Sequence, residues 1–282
     1  MSFNNAILIG SVLLLPACGG DSSSTEDGPT PEPAAPAAEA LPDQMDAGAL
    51  AGQADNVTLV PSPLETQRVL SAAGIEANLA QFMSEREVQF PDNTDEDRMA
   101  VTTGVVLADM LLTVKTSNDE QLLTQLMQIQ SGMNSLKAGD DIAATVADIA
   151  ERVKAGAVDR ENLLKELDEL SGVVIPELQF EGRSRIVPLI QAGSWLEGAF
   201  LISSAAMSAD KAEAADQVLK QPDVVAYFQE YTASKTEDNS LVGKVLSDTL
   251  QKLHELAQKT EPLQASEVEE VISLTGSVLK LL

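Results

Sequence analysis

Residues 185–207 read RIVPLIQAGSWLEGAFLISSAAM, and wound as a helix this stretch is apolar nearly all round its central turns. A helix with one apolar stripe lies on a surface, whereas a helix apolar on every side has to be enclosed. The rest of the chain must therefore surround it. Pro188 falls in its first turns, where a missing N–H costs least. Gly193, Ser194, Gly198 and Ala199 are small enough for neighbouring helices to approach closely, and Trp195 and Phe200 fill space beside them. Six of the nine aromatic residues (Phe180, Trp195, Phe200, Tyr227, Phe228 and Tyr231) lie between 180 and 231, so the densest packing is expected there.

What surrounds this helix is also helical. From Pro61 onward apolar residues recur at spacings of three and four, without long alternating runs, which points to an all-α domain of about eight or nine helices. Ser62 can cap a helix, with Pro63 in its first turn and Glu65 completing a capping box. Ser117 with Glu120, and Ser266 with Glu269, repeat that pattern, and Asn93 or Thr94 precedes a run of acids suited to a helix N-terminus. The expected helices are 62–84, 94–116, 118–137, 140–155, 159–171, 184–208, 210–232, 238–259 and 266–281, with breaks at Gly74 and Pro222. Gly172 to Gly182, which holds Pro176 and two glycines, is expected to be the longest non-helical stretch. Residues 61–282 are within the size of one core and are read as one domain. The last helix carries a broad apolar face that includes Val268, Val271, Val278 and Leu279, and is expected to dock on the body.

Few residues offer chemistry. Asp109, in VVLADMLL, and Glu197, in SWLEGAF, each sit mid-helix between apolar neighbours, where an ionised carboxylate needs a partner or a raised pKa. Such a pair can line a pocket as acid and base or hold a cation. It can equally be neutralised by Arg98, Arg183 or Arg185, or reach the protein edge. Asp92 to Met99 (DNTDEDRM) has acid spacing suggestive of calcium but lacks the glycine and late glutamate of an EF-hand loop. His254 is the only histidine and has no cysteine partner for a zinc site, so no metal site is expected. No G-x-S-x-G, G-x-G-x-x-G or G-x-x-x-x-G-K-[ST] motif occurs, and no cofactor is expected.

The N-terminus indicates an address. Ala6 to Ala17 is apolar but too short to cross a bilayer, which takes about 20 residues, and it matches the apolar region of a signal peptide. Leu15-Pro16-Ala17-Cys18 resembles the lipobox of bacterial lipoproteins, although Met1 to Asn5 lacks the usual basic residue. That resemblance implies cleavage before Cys18, acylation of its thiol, and attachment to a membrane by lipid. Gly19, in place of aspartate, implies sorting to the outer membrane, facing the periplasm. Residues 1–17 are thus read as the signal, and 18–60 as the lipidated cysteine followed by a Pro-, Ala- and Ser-rich tether. The tether has too little apolar surface to fold and a typical reach of about 35 Å. In the body, PSPLE at Pro61 to Glu65, VVLADMLL and SWLEG resemble a group of helical bacterial lipoproteins without an assigned activity. The resemblance groups Asp109, Trp195 and Glu197 as a candidate polar cluster.

The chain carries a formal net charge of −26, and all 18 Lys and Arg fall at Arg68 or beyond. Such a field opposes phosphate backbones, which excludes nucleic acid as a partner. The expectation is a lipid-anchored, non-enzymatic interaction module with an envelope protein or wall component as partner. The alternative is a small-ligand receptor or carboxylate enzyme with a pocket at Asp109 and Glu197.

Overall fold

Capping and periodicity decide where the helices begin and end. In the computed structural model, which describes residues 60–83, 90, 95–233 and 241–282, ten helices and no strand occur among the described residues. They are α1 (Pro63–Ala72), α2 (Glu96–Thr113), α3 (Asp119–Leu136), α4 (Asp140–Lys154), α5 (Arg160–Phe180), α6 (Val187–Ser208), α7 (Asp216–Leu219), α8 (Pro222–Ala233), α9 (Leu241–Ala257) and α10 (Ala265–Leu279). The fold is all-α, as the periodicity indicates. Ala54–Leu282 forms one compact unit. The lipobox, Cys18 and the tether as far as residue 59 lie outside the described residues.

Ser62 and Glu65 form the expected capping box at α1. Gly74, at φ +65°, closes that helix: Ile75 N–H donates to Leu70 O at 2.8 Å in a left-handed cap that a side chain would strain. The other starts differ from expectation by one or two residues. Asp95 caps α2, accepting from Arg98 N–H at 2.9 Å. Asn118 and Gln121 form the box at α3, because Ser117 is buried and spends its hydroxyl on Thr113 Oγ1 at 3.0 Å. At α10, Gln264 N–H donates to Glu267, two residues before the expected start.

The largest departure lies in α5. Residues 172–180, expected to be a loop, continue the helix, with Pro176 inside it. A proline in a helix interior costs about 3 kcal/mol. Leu163, Leu167, Leu170, Val174 and Leu178 nevertheless keep one buried face, and burying Val174 and Leu178 offsets the loss at roughly 1.5–3 kcal/mol each. Pro176 itself is exposed, so its ring displaces no core atom.

The frame is the pair α2 and α6, which run parallel. Arg183 and Arg185, just before α6, both donate to Glu96 in the first turn of α2, and Arg185 Nη1 reaches Asp97 Oδ1 at 2.5 Å. Burial pulls the Arg185 pKa down, but the hydrogen bond and charge of Asp97 hold it above its usual value. A Cβ on Gly104 of α2 would lie 2.0 Å from the Ile190 carbonyl oxygen, and one on Gly193 of α6 would lie 2.1 Å from that of Val101. The two backbones touch, which allows Cα–H to carbonyl contacts along the crossing. Two hydrophobic clusters flank this pair. One joins α2 and the start of α6 to α3, α4 and α5, and the other joins α2 and the rest of α6 to α1, α8, α9 and α10. Residues 184–208 are long and apolar enough to cross a membrane by length and composition, yet 83% of their apolar window is buried within the protein.

Glu96→Ala is expected to cost about 1 kcal/mol, the upper end for a partly exposed pair, because one carboxylate serves two arginines. Urea unfolding should show the loss, and it should shrink in high salt.

Candidate functional site

The three residues singled out as a polar cluster all lie inside this frame. Asp109 on α2 is 4% exposed, and Trp195 and Glu197 on α6 are 3% and 0% exposed. Arg185 and Glu96 are 89 residues apart, and the close approaches of Gly104 to Ile190 and of Gly193 to Val101 bracket that offset, at 86 and 92 residues. Asp109 and Glu197, 88 residues apart, therefore fall at similar heights on adjacent parallel helices. Glu197 follows Gly193 by one turn, on the side of α6 that meets α2. Both residues are engaged in polar or electrostatic contacts.

The arginines proposed as partners are committed elsewhere. Arg183 and Arg185 hold Glu96 and Asp97, and Arg98 Nη2 donates to the Leu282 carbonyl at 2.7 Å. This also accounts for the described part of the acid run after Asp92: Asp95 caps, while Glu96 and Asp97 clamp. Asp92, Asn93 and Thr94 lie outside the described residues. Trp195 packs on Phe228 of α8 with ring centroids 6.0 Å apart, and its Nε1 is buried with no hydrogen-bond partner among the described residues. A buried indole N–H usually finds an acceptor.

The pockets lined by described residues include two at helix starts. One, of about 370 Å³, sits where the chain enters α1, between Val60, Pro61, Glu65 and Thr66 on one side and Gln217 and Gln221 on the other. The second, of about 280 Å³, lies between Asn134, Lys137, Asp140 and Glu181. Neither includes Asp109, Trp195 or Glu197. His254, half-buried on α9, places Nε2 2.7 Å from the Gln258 amide nitrogen. Among the described residues no group of three His, Cys, Asp or Glu side chains converges as a metal would require.

The aromatic residues divide. Trp195 and Phe228 are core, as expected for the 180–231 region, and Tyr227 packs at a tilt against Phe228 with ring centroids 5.5 Å apart. Phe180 is a correction: it is 84% exposed. Val173, one helical face away from the core, is 53% exposed. Reading residues 172–182 as a loop hid this pair, yet the spacing from Leu163 through Leu178 carries the signal that a helix continues and turns Val173 and Phe180 outward. No family model, curated protein or solved structure matches the chain.

Proposed function

We propose that this protein is a lipid-anchored, non-enzymatic binding module of the bacterial cell envelope. It is held through Cys18 to the outer membrane, facing the periplasm, and engages an envelope protein or wall component. The observation that carries the binding reading is an inversion of chemistry and exposure. The residues with the most reactive potential, Asp109 and Glu197, are buried at 4% and 0% exposure, while Phe180, which can do no acid–base chemistry, is 84% exposed. A surface built this way meets partners through apolar contact. The address rests on the lipobox-like Leu15-Pro16-Ala17-Cys18 and on an acidic segment free of Lys and Arg that separates Cys18 from the body.

Expression of the full chain and its Cys18→Ala variant in a lipoprotein-processing host tests the address by intact mass and membrane fractionation. The expected result is a chain that begins at an acylated Cys18 and sediments with membranes, with nearly complete loss of both in the variant. Several acyl chains at about 0.8 kcal/mol per buried CH₂ make that difference all-or-none. An unacylated wild-type chain would remove the envelope assignment. In-cell crosslinking from the body then tests the binding reading, which a wild-type chain without any envelope adduct would overturn.

A second reading is favoured by the similar heights of Asp109 and Glu197, which suit a carboxylate pair. If the pair serves only structure, Asp109→Asn and Glu197→Gln will change stability in proportion to any change in binding. A loss of activity or ligand binding at unchanged stability would instead assign them a site.

A further inference from the structure

Pro176 and Phe180 define a feature that neither the core nor the polar cluster uses. On α5, Gly172, Val173, Pro176 and Phe180 fall within about one third of the helix circumference, since residues three, four and seven apart share a face. All four are exposed, opposite the buried line of Leu163, Leu167, Leu170, Val174 and Leu178. Nothing lies within 4 Å of where a Cβ on Gly172 would be, so the stripe has an open notch at its N-terminal end. Pro176 has no N–H, and the Gly172 carbonyl one turn earlier therefore lacks its helical donor. Beside the apolar side chains stand Asp168, Glu169 and Glu181, with Lys165 exposed two turns before Gly172 and no Lys or Arg between it and the helix end; Glu166 is ion-paired with Arg152, and Glu177 lies against Gly139. Arg152 is taken by Asp148 and Glu166, and Arg183 and Arg185 by Glu96 and Asp97.

We infer that this face of α5 is a docking surface for a cationic amphipathic helix of a partner protein. The inference deepens the binding-module reading, on which it rests, by assigning the surface and the chemistry of the partner. Phe180 and Val173 provide the apolar anchors for the partner's leucine-type face, with the Gly172 notch at the N-terminal end of the stripe. The acidic border selects lysine or arginine on the partner's flanks, and the open Gly172 carbonyl accepts one further donor. Charge excludes the other occupants. A second copy would bring two acidic borders together, and three apolar side chains fall short of the roughly 1,000 Å² a specific interface buries unless charge complementarity adds to it. An anionic lipid surface would be repelled by the same glutamates.

The test uses the full chain in detergent and a labelled amphipathic helical peptide of lysine and leucine as the probe, with binding read by fluorescence anisotropy. Val173→Ser/Phe180→Ser is compared with wild type; both positions are exposed, so circular dichroism should be unchanged. The expected result is saturable binding that weakens about tenfold or more in the double variant, as loss of a central aromatic anchor does. It should also weaken in Glu169→Gln/Glu181→Gln, and fall with salt. Polylysine should bind less tightly and be indifferent to Val173→Ser/Phe180→Ser. Equal binding by wild type and the apolar variant would overturn the inference. So would binding of polylysine as tight as that of the peptide, which would reduce the effect to surface charge. A variant-sensitive shift on vesicles but not on peptide would assign the face to lipid, and a variant-sensitive dimer in sedimentation would assign it to self-association; either result overturns the proposal. Failure here, with envelope adducts still formed from other faces in the crosslinking experiment, leaves the binding-module reading standing.

Discussion

Gly104→Ala should lower the stability of this protein by about 3 kcal/mol, at the upper end of what overpacking costs. Most helix glycines are improved by alanine, because glycine carries a backbone-entropy penalty of roughly 0.5–1 kcal/mol. Gly104 is the reverse case. The new methyl would stand 2.0 Å from a carbonyl oxygen of α6, and a backbone atom cannot rotate away as a side chain can. Relief requires the two central helices to separate, and both hydrophobic clusters are built on that pair. Gly193→Ala should behave alike, and the double variant, drawing on a total stability of about 5–15 kcal/mol, should lose most of its cooperative unfolding transition. Gly172→Ala supplies the control. It lies in a helix with nothing within 4 Å of the added carbon, and it should raise the urea midpoint slightly. If Gly104→Ala and Gly172→Ala shift the midpoint in the same direction, the close approach of α2 and α6 is wrong.

Phe228→Ala should cost about 3–5 kcal/mol, and Phe180→Ala less than about 0.5 kcal/mol, although the same atoms are removed. Phe228 is 1% exposed and lies between Trp195, with centroids 6.0 Å apart, and Tyr227, at 5.5 Å. Deleting it leaves a cavity walled by two rings and by α6, which is held by α2 and cannot collapse inward. Phe180 at 84% exposure has little solvent-protected area to lose. Thermal or urea unfolding separates the two outcomes. Comparable losses at both positions would mean that the outer face of α5 is covered within the monomer, and the docking surface would then not exist.

These contrasts show which information resides in local sequence. That residues 185–207 form an enclosed helix follows from their composition alone, since no orientation of that helix on a surface would hide its apolar sides. Ser62 with Glu65 and the stop at Gly74 were legible for the same reason, because caps are satisfied by neighbours within a few residues. Asp109 and Glu197 could be recognised as buried carboxylates from their flanking residues. Their similar heights could not, because that depends on Arg183 and Arg185 reaching Glu96 and Asp97 across the fold.

Tertiary packing decided the rest. Pro176 and the glycines around it carry the local signature of a loop, and the helix persists through them because Val174 and Leu178 are buried against the core. The helix that results turns Val173 and Phe180 outward, so the surface proposed for binding exists only because burial on one side of α5 outweighs the proline on the other. By itself the sequence determined the helical class, the enclosed central helix and the acidic character, all of which follow from periodicity, composition and charge. Only the tertiary structure decided the parallel pairing of α2 with α6, the partners of the arginines and which aromatic side chains face water. Those depend on contacts between residues far apart in the chain.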